Sequence, residues 1–200
     1  MSIWKRVRPW IIPAVVTLLF CLVLRFVVLI GYVPSASMEP TIRQDSLIFG
    51  WRIHNSPEVG DIVVFENNGY TPTDEPLIKR VIAVGGQSVR LDAEGGVYVY
   101  ENDADTVGTK LSEPYTSLAL LGEDGTYYGE NELYYFSSQY KDLYEAYKIK
   151  TKIPEGYLFV LGDHRNSSYD SRYFGVVDER AVLGRVVLRI SPFQTFGGVQ

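Results

Sequence analysis

Cysteine is almost absent: Cys21 stands alone among 200 residues. That excludes an intramolecular disulfide and a cysteine-based metal site. Histidine is nearly as scarce, with only His54 and His164 available if a catalytic base were an imidazole. Charge is missing from 9 to 24, and no Asp or Glu precedes Glu39. The chain also lacks internal repeats and any low-complexity tract. At 46% hydrophobic and 22% charged residues, it has the composition of one globular domain with a membrane segment attached.

The uncharged stretch 9–24 spans about 24 Å as a helix, short of a ~30 Å hydrocarbon core. The residues after Arg25 are again apolar to Val33, so the helix is expected to continue to residue 31, with Arg25 snorkelling toward headgroups. Pro13 is tolerable near the start of such a helix or as a mild kink. Lys5, Arg6 and Arg8 place the short N-terminal side in the cytoplasm and the remainder outside it. The expected location is the cell membrane, crossed once. Residues 32–200 carry 15 basic and 24 acidic side chains, a formal −9 that speaks against a nucleic-acid partner. A cleaved signal peptide, cut near 35–37, is the rival reading. The apolar run to Val33 exceeds the ~7–15 residues of a typical h-region, and Pro40 follows the cut too closely.

Beyond residue 31 the pattern becomes short β-rich runs divided by Gly, Pro and Asn. Strands are predicted at 47–51, 61–65, 77–84, 88–91, 97–100, 157–161 and 182–190. Turn signals lie at 67–69, 85–86, 94–96 and 154–156. Short strands so evenly spaced predict a mainly β, antiparallel domain rather than βαβ units. Residues 101–150 differ: they hold ten acidic and four basic residues and eight of the 15 tyrosines. A helix is predicted at 138–148, with Tyr140, Leu143, Tyr144 and Tyr147 on one face. These tyrosines are expected to pack on the β-core, with a protein- or glycan-binding face as the alternative.

Two residues carry the chemistry. Ser37 lies in Pro34-Ser35-Ala36-Ser37-Met38-Glu39-Pro40-Thr41, just past the apolar segment, where flanking prolines restrict the backbone. Lys79 interrupts the apolar run Leu77-Ile78-Lys79-Arg80-Val81-Ile82-Ala83-Val84. A serine becomes a nucleophile when a base removes its proton, and a neutral lysine is one such base. Neutrality near pH 7 requires the lysine pKa to fall by ~3 units from ~10.4, a bias of about 4 kcal/mol against the charged form. Burial can supply it. Strand alternation puts Lys79 on the face of Val81 and Ala83, and Arg80 on the face of Ile78 and Ile82.

Four segments then resemble type I signal peptidases of the bacterial Ser–Lys kind, the S26 signal peptidase family. They are the Ser37 segment, Gly60-Asp61-Ile62-Val63-Val64-Phe65, Ile78-Lys79-Arg80-Val81-Ile82, and Gly162-Asp163-His164-Arg165-Asn166-Ser167-Ser168-Tyr169-Asp170-Ser171-Arg172 followed by Phe174-Gly175. The resemblance runs in order over most of the chain outside 101–150. It implies a signal-peptidase/repressor-protease-like β-domain that is a serine endopeptidase removing signal peptides from exported preproteins. No metal and no organic cofactor is implied, and the partners would be preproteins and membrane lipid.

By the same resemblance, Ser37 is the nucleophile, Lys79 the general base and Ser35 an oxyanion-hole hydroxyl. Ser168 orients the lysine, and Asp163, Arg165, Asp170 and Arg172 brace the loop. Ser167, beside Ser168, leaves open which hydroxyl faces Lys79. The chain departs from the family pattern at His164, Asn166 and Ser167, and at Gly85-Gly86-Gln87. His164 is expected to be a loop-bracing or surface residue.

The implied organisation is a cytoplasmic end at 1–8, an anchor at 9–31, a catalytic β-domain at 32–100 and 153–200, and an inserted tyrosine-rich acidic lobe at 101–152. One alternative is a signal-peptidase-like assembly or chaperone module without activity, which should have lost Ser37 or Lys79. Another is a self-cleaving Ser–Lys regulator, disfavoured by the anchor.

Overall fold

The computed structural model describes residues 3–52, 56–91, 96–116, 149–191 and 194–198. The helix predicted at 138–148 and His54 lie outside them. Helix α1 (Ile3–Val27) is followed without a linker by β1 (Val28–Val33). The 20 residues Arg8–Val27 are apolar and long enough to cross a bilayer, rising about 30 Å. Such a length is reached by taking in Arg8 and Arg25 at the two ends rather than by extending past Val27. Residues 28–31, expected to be helical, instead join the sheet. Val28, Leu29, Ile30 and Tyr32 suit a strand, and pairing with β2 (Ser46–Trp51) runs from Val28 opposite Trp51 to Val33 opposite Ser46. The ladder reaches the helix itself, where Arg52 N donates to Val27 O at 2.8 Å.

The other strands are β3 (Ile62–Phe65), β4 (Leu77–Val84), β5 (Ser88–Leu91), β6 (Val97–Tyr100), β7 (Thr109–Lys110), β8 (Thr151–Lys152), β9 (Tyr157–Leu161), β10 (Val177–Asp178), β11 (Val182–Ser191) and β12 (Gln194–Gly198). One short helix, α2 (Ser171–Phe174), follows β9. The large sheet runs β1-β2-β11-β3-β4-β9-β10, with β12 also paired to β11. Every pairing is antiparallel. The mainly β, antiparallel fold with one N-terminal apolar helix is therefore as the sequence led us to expect. A smaller sheet runs β7-β6-β5-β8, so residues 109–110 and 151–152 both join it.

The two sheets meet where turns predicted from glycine and proline pack together. Gly86 adopts φ 89°, and its N–H donates to Ile153 O at 3.0 Å. A Cβ on Gly85 would come within 2.8 Å of Glu155 Cα, so only glycine admits this approach.

Three apolar clusters flank the sheets. One, holding Leu29, Val33, Met38, Ile42 and Ile78, packs under the Ser37 loop. A second joins the small sheet to Ile82, Ala83 and Phe159. The third holds Val63, Phe65, Val81 and Val160. Strand β4 touches all three and is buried on both faces, which is why its sequence reads as nearly continuous apolar residues. A register shift against β9 between Val81 and Ala83 breaks its alternation. Ala83 therefore joins Ile82 in the second cluster instead of sharing a face with Val81, as strict period-two alternation predicted.

Candidate active site

Ser37 sits in a turn between β1 and β2, held from below by its neighbours. Met38 and Ile42 are fully buried, and Ile42 N donates to Met38 O at 2.8 Å. Burying two such side chains contributes about 1.5–3 kcal/mol each, so the loop is fixed by packing as well as by its prolines. Lys79 comes from β4, opposite Val63 of β3. Its Nζ donates to Ser37 Oγ at 3.0 Å and to Ile78 O at 2.8 Å. The two side chains are 4% and 7% exposed, so water competes little for the contact.

Burial is the main cause that lowers the Lys79 pKa, from 10.5 to about 8. Asp170 opposes this, the positive charge of Arg172 adds to it, and Asp163 opposes it. A substantial fraction of the amine is thus neutral in mildly alkaline conditions, as proton removal from Ser37 demands.

Ser35 Oγ lies 3.3 Å from Ser37 Oγ, and Ser35 is exposed where Ser37 is buried. The Ser37 backbone N–H has no hydrogen-bond partner among the described residues. Burial distinguishes Ser167 from Ser168. Ser167 is exposed, whereas Ser168 is 2% exposed and packs against Gly162. Ser168 Oγ makes no well-formed hydrogen bond, and none to Lys79. The expected lysine-orienting contact is therefore not formed in this arrangement. The hydroxyl does lie close enough to Asp170 to favour its ionised form.

The bracing residues are all buried, but they pair differently from a simple reading of neighbours in sequence. Asp170 and Arg172 do pair, at 2.8 Å. Burial alone would raise the Asp170 pKa, but the Arg172 charge, its hydrogen bonds and the Gly162 N–H together hold it below 3.8. Asp163 instead takes Arg80, through Nε at 2.9 Å and Nη2 at 2.7 Å. Arg165 donates to Gly162 O at 3.0 Å and to Glu113 through Nη1 at 3.0 Å and also Nη2. His164 is loop-bracing, as expected: its N–H donates to Ser37 O at 3.1 Å, and Nδ1 contacts Ala36 O at 3.2 Å.

Sequence reasoning missed Arg80 as a site support, together with Glu113 and Tyr115. The Arg80 guanidinium lies 3.9 Å above the Tyr115 ring, and Tyr115 donates to Glu113 Oε1 at 3.1 Å. Arg80 could have been flagged as a second charge in an apolar strand; nothing in the pattern around 113–115 marks that segment. Among the described residues no group of His, Cys, Asp and Glu is arranged to hold a metal.

A groove of about 650 Å³ reaches Lys79 and Ser35. One wall is β1 and its continuation through Val33, Pro34 and Ser35; the other runs from Thr71 to Lys79. Strand β1 ends the large sheet, so its outer edge is free among the described residues.

A serine and a buried lysine thus lie in hydrogen-bond contact, near a groove that runs beside an open sheet edge. The sequence model described as signal peptidase, peptidase S26, matches residues 5–191. Signal peptidase IB of Staphylococcus aureus (strain COL) is 34% identical over 198 residues, covering 96% of this chain and 93% of that protein. Probable signal peptidase I-2 of Synechocystis is 34% identical over 184 residues, 86% of this chain and 67% of the relative. A crystal structure of a signal peptidase I from Enterococcus faecalis is 27% identical, covers 66% of this chain and 98% of its own, and superposes with a TM-score of 0.45. The chain belongs to the signal peptidase family, peptidase S26, whose members are serine endopeptidases.

Proposed function

We propose that this chain is a membrane-anchored endopeptidase that removes N-terminal signal peptides from exported preproteins, with Ser37 as nucleophile and Lys79 as base. The observation that carries the reading is the 3.0 Å contact from Lys79 Nζ to Ser37 Oγ in a buried setting that lowers the lysine pKa.

The substrate enters extended, adding to the free edge of β1 by backbone pairing. Residues alternate along such a strand, so every second side chain faces the apolar floor formed by Val33, Ile78 and Leu183. Small side chains at the first and third positions before the cut fit there. Neutral Lys79 takes the proton as Ser37 Oγ attacks the carbonyl carbon. The Ser37 N–H and the Ser35 hydroxyl receive the oxyanion. The lysine proton passes to the departing amine, leaving an acyl ester on Ser37. Lys79 then takes a proton from water, whose oxygen attacks the ester, and returns that proton to Ser37 Oγ. Ser168 orients the amine once a rotation about its side chain brings the hydroxyl to Nζ. Asp163, Arg165, Asp170 and Arg172 hold the loop.

The N-terminal end is cytoplasmic, on the charge of Lys5, Arg6 and Arg8, and the β-domain faces the opposite side of the cell membrane. Ile30, Tyr32, Leu47 and Trp51 are exposed on the strands that follow the helix, and would rest against lipid. The anchor confines enzyme and substrate to the same surface, which raises their effective concentration.

Cleavage of a preprotein in liposomes by wild type, Ser37→Ala and Lys79→Met tests the dyad. Both variants should lose all detectable cleavage; undiminished cleavage by either removes that residue from the mechanism. The non-catalytic alternative requires that wild type itself leave the preprotein intact.

A further inference from the structure

The segment Glu113-Pro114-Tyr115 reaches from the small sheet to the two arginines that flank the dyad. The Glu113 carboxylate is nearly buried against Arg165 and also accepts from Tyr115. Arg165 Nε donates to Gly162 O at 3.0 Å, and Arg165 O accepts from Arg172 Nη2 at 2.8 Å. The residue before it, His164, grips the carbonyls of Ser37 and Ala36. The Tyr115 ring meanwhile covers the guanidinium of Arg80, the residue after Lys79, and the Arg80 donors go to Asp163, Gly60 O and Thr41. One three-residue strap therefore closes over supports of both the nucleophile and the base.

We infer that Glu113 and Tyr115 are positioning residues: they set the separation and alignment of Ser37 and Lys79 from outside the site, and so govern kcat without contacting substrate. The inference rests on the dyad reading above. Arg80, Arg165 and Arg172 bring three positive charges to a small buried volume that Asp163, Asp170 and Glu113 balance. Without the Glu113 charge, Arg165 keeps Gly162 O but loses its one carboxylate partner among the described residues, and the 162–165 turn is free to settle elsewhere. A displacement of about 1 Å at the reacting atoms is enough to cost on the order of a hundredfold in rate. The groove walls, formed by β1 and 71–79, contain neither strap residue, so substrate binding is spared.

The test uses the full-length chain in liposomes with Glu113→Gln, Tyr115→Leu and Tyr115→Phe. Glu113→Gln and Tyr115→Leu should lower kcat about tenfold or more, with KM within twofold of wild type. Tyr115→Phe keeps the ring over Arg80 and should stay within about threefold of wild type. Unchanged kcat in the first two, or a parallel change in KM, overturns the inference. A readout that needs no cleavage is the alkylation rate of a Ser37→Cys thiol in a Cys21→Ala chain, since a correctly placed Lys79 amine activates that thiol. Adding Glu113→Gln should slow alkylation about tenfold, and an unaltered rate refutes positioning. Slowed alkylation in a chain whose wild type cleaves no preprotein would leave the positioning intact and overturn the assigned function instead.

Discussion

Lys79 Nζ donates to Ser37 Oγ across 42 residues of sequence, at 3.0 Å and almost out of contact with solvent. The same burial that favours a neutral lysine makes it costly to the fold, so the contact links the proposed activity and stability through one proton.

Activity should rise with pH. The reactive form has Lys79 neutral, and its pKa of about 8 sets the acid limb of kcat/KM for preprotein cleavage, with the rate falling tenfold per pH unit below it. A limb centred near 6.5, the ordinary histidine value, would transfer the role of base to an imidazole.

Lys79→Met should abolish cleavage and stabilise the protein at neutral pH. The folded pKa of about 8 lies below the ordinary lysine value of 10.5, so the folded state binds fewer protons between them. The stability tied to the neutral amine is complete above 10.5, is lost as pH falls toward 8, and stays lost below. That loss corresponds to about 3 kcal/mol, and denaturant titration should recover it in the variant at pH 7 but not near pH 11. An unstable variant at pH 7 would contradict the burial argument.

Gly162→Ala should damage both halves of the site. Its Cβ would fall 2.2 Å from Ser168 Oγ and 2.5 Å from Ser37 O, the second a backbone atom that cannot turn aside. We expect a loss of about 1–3 kcal/mol in stability and a drop of at least a hundredfold in kcat. Wild-type kinetics in this variant would show that the loop moves freely.

Asp163→Asn leaves the Arg80 guanidinium buried without its charge partner and should cost about 3–5 kcal/mol. Replacing both, as Arg80→Met with Asp163→Leu, should return much of that in thermal melts, because the penalty belongs to the unpaired charge. Equal destabilisation by the single and double variants would refute this.

Ser168→Ala should lower kcat about tenfold or more, whereas Ser167→Ala, on an exposed side chain, should leave it within twofold. The reverse order would place the orienting hydroxyl on Ser167.

The strands at 77–84, 88–91, 97–100 and 157–161 occur at the residues the sequence pattern predicted, because each is a short β-branched or aromatic run between strong turn residues. Residues 28–31 misled for the opposite reason: an apolar run next to a membrane helix carries no local mark of where lipid ends and a sheet begins. Only pairing with β2 decides it. The Val81–Ala83 shift was likewise invisible, since it depends on the register of β9.

For the site, sequence alone named Ser37 and Lys79, because a serine between prolines and a lysine in an apolar strand are local anomalies with a shared chemical explanation. It also determined the apolar helix and the antiparallel β character, both of which follow from composition and period. Tertiary structure decided everything that depends on distance between remote segments: burial deep enough to bring Lys79 to about 8, Ser168 rather than Ser167 facing inward, and Asp163 paired with Arg80 instead of a near neighbour. It alone brought Glu113 and Tyr115 to the dyad's supports. Electrostatic energies depend on separation and on how much water lies between charges, and neither quantity is written in the order of residues along a chain.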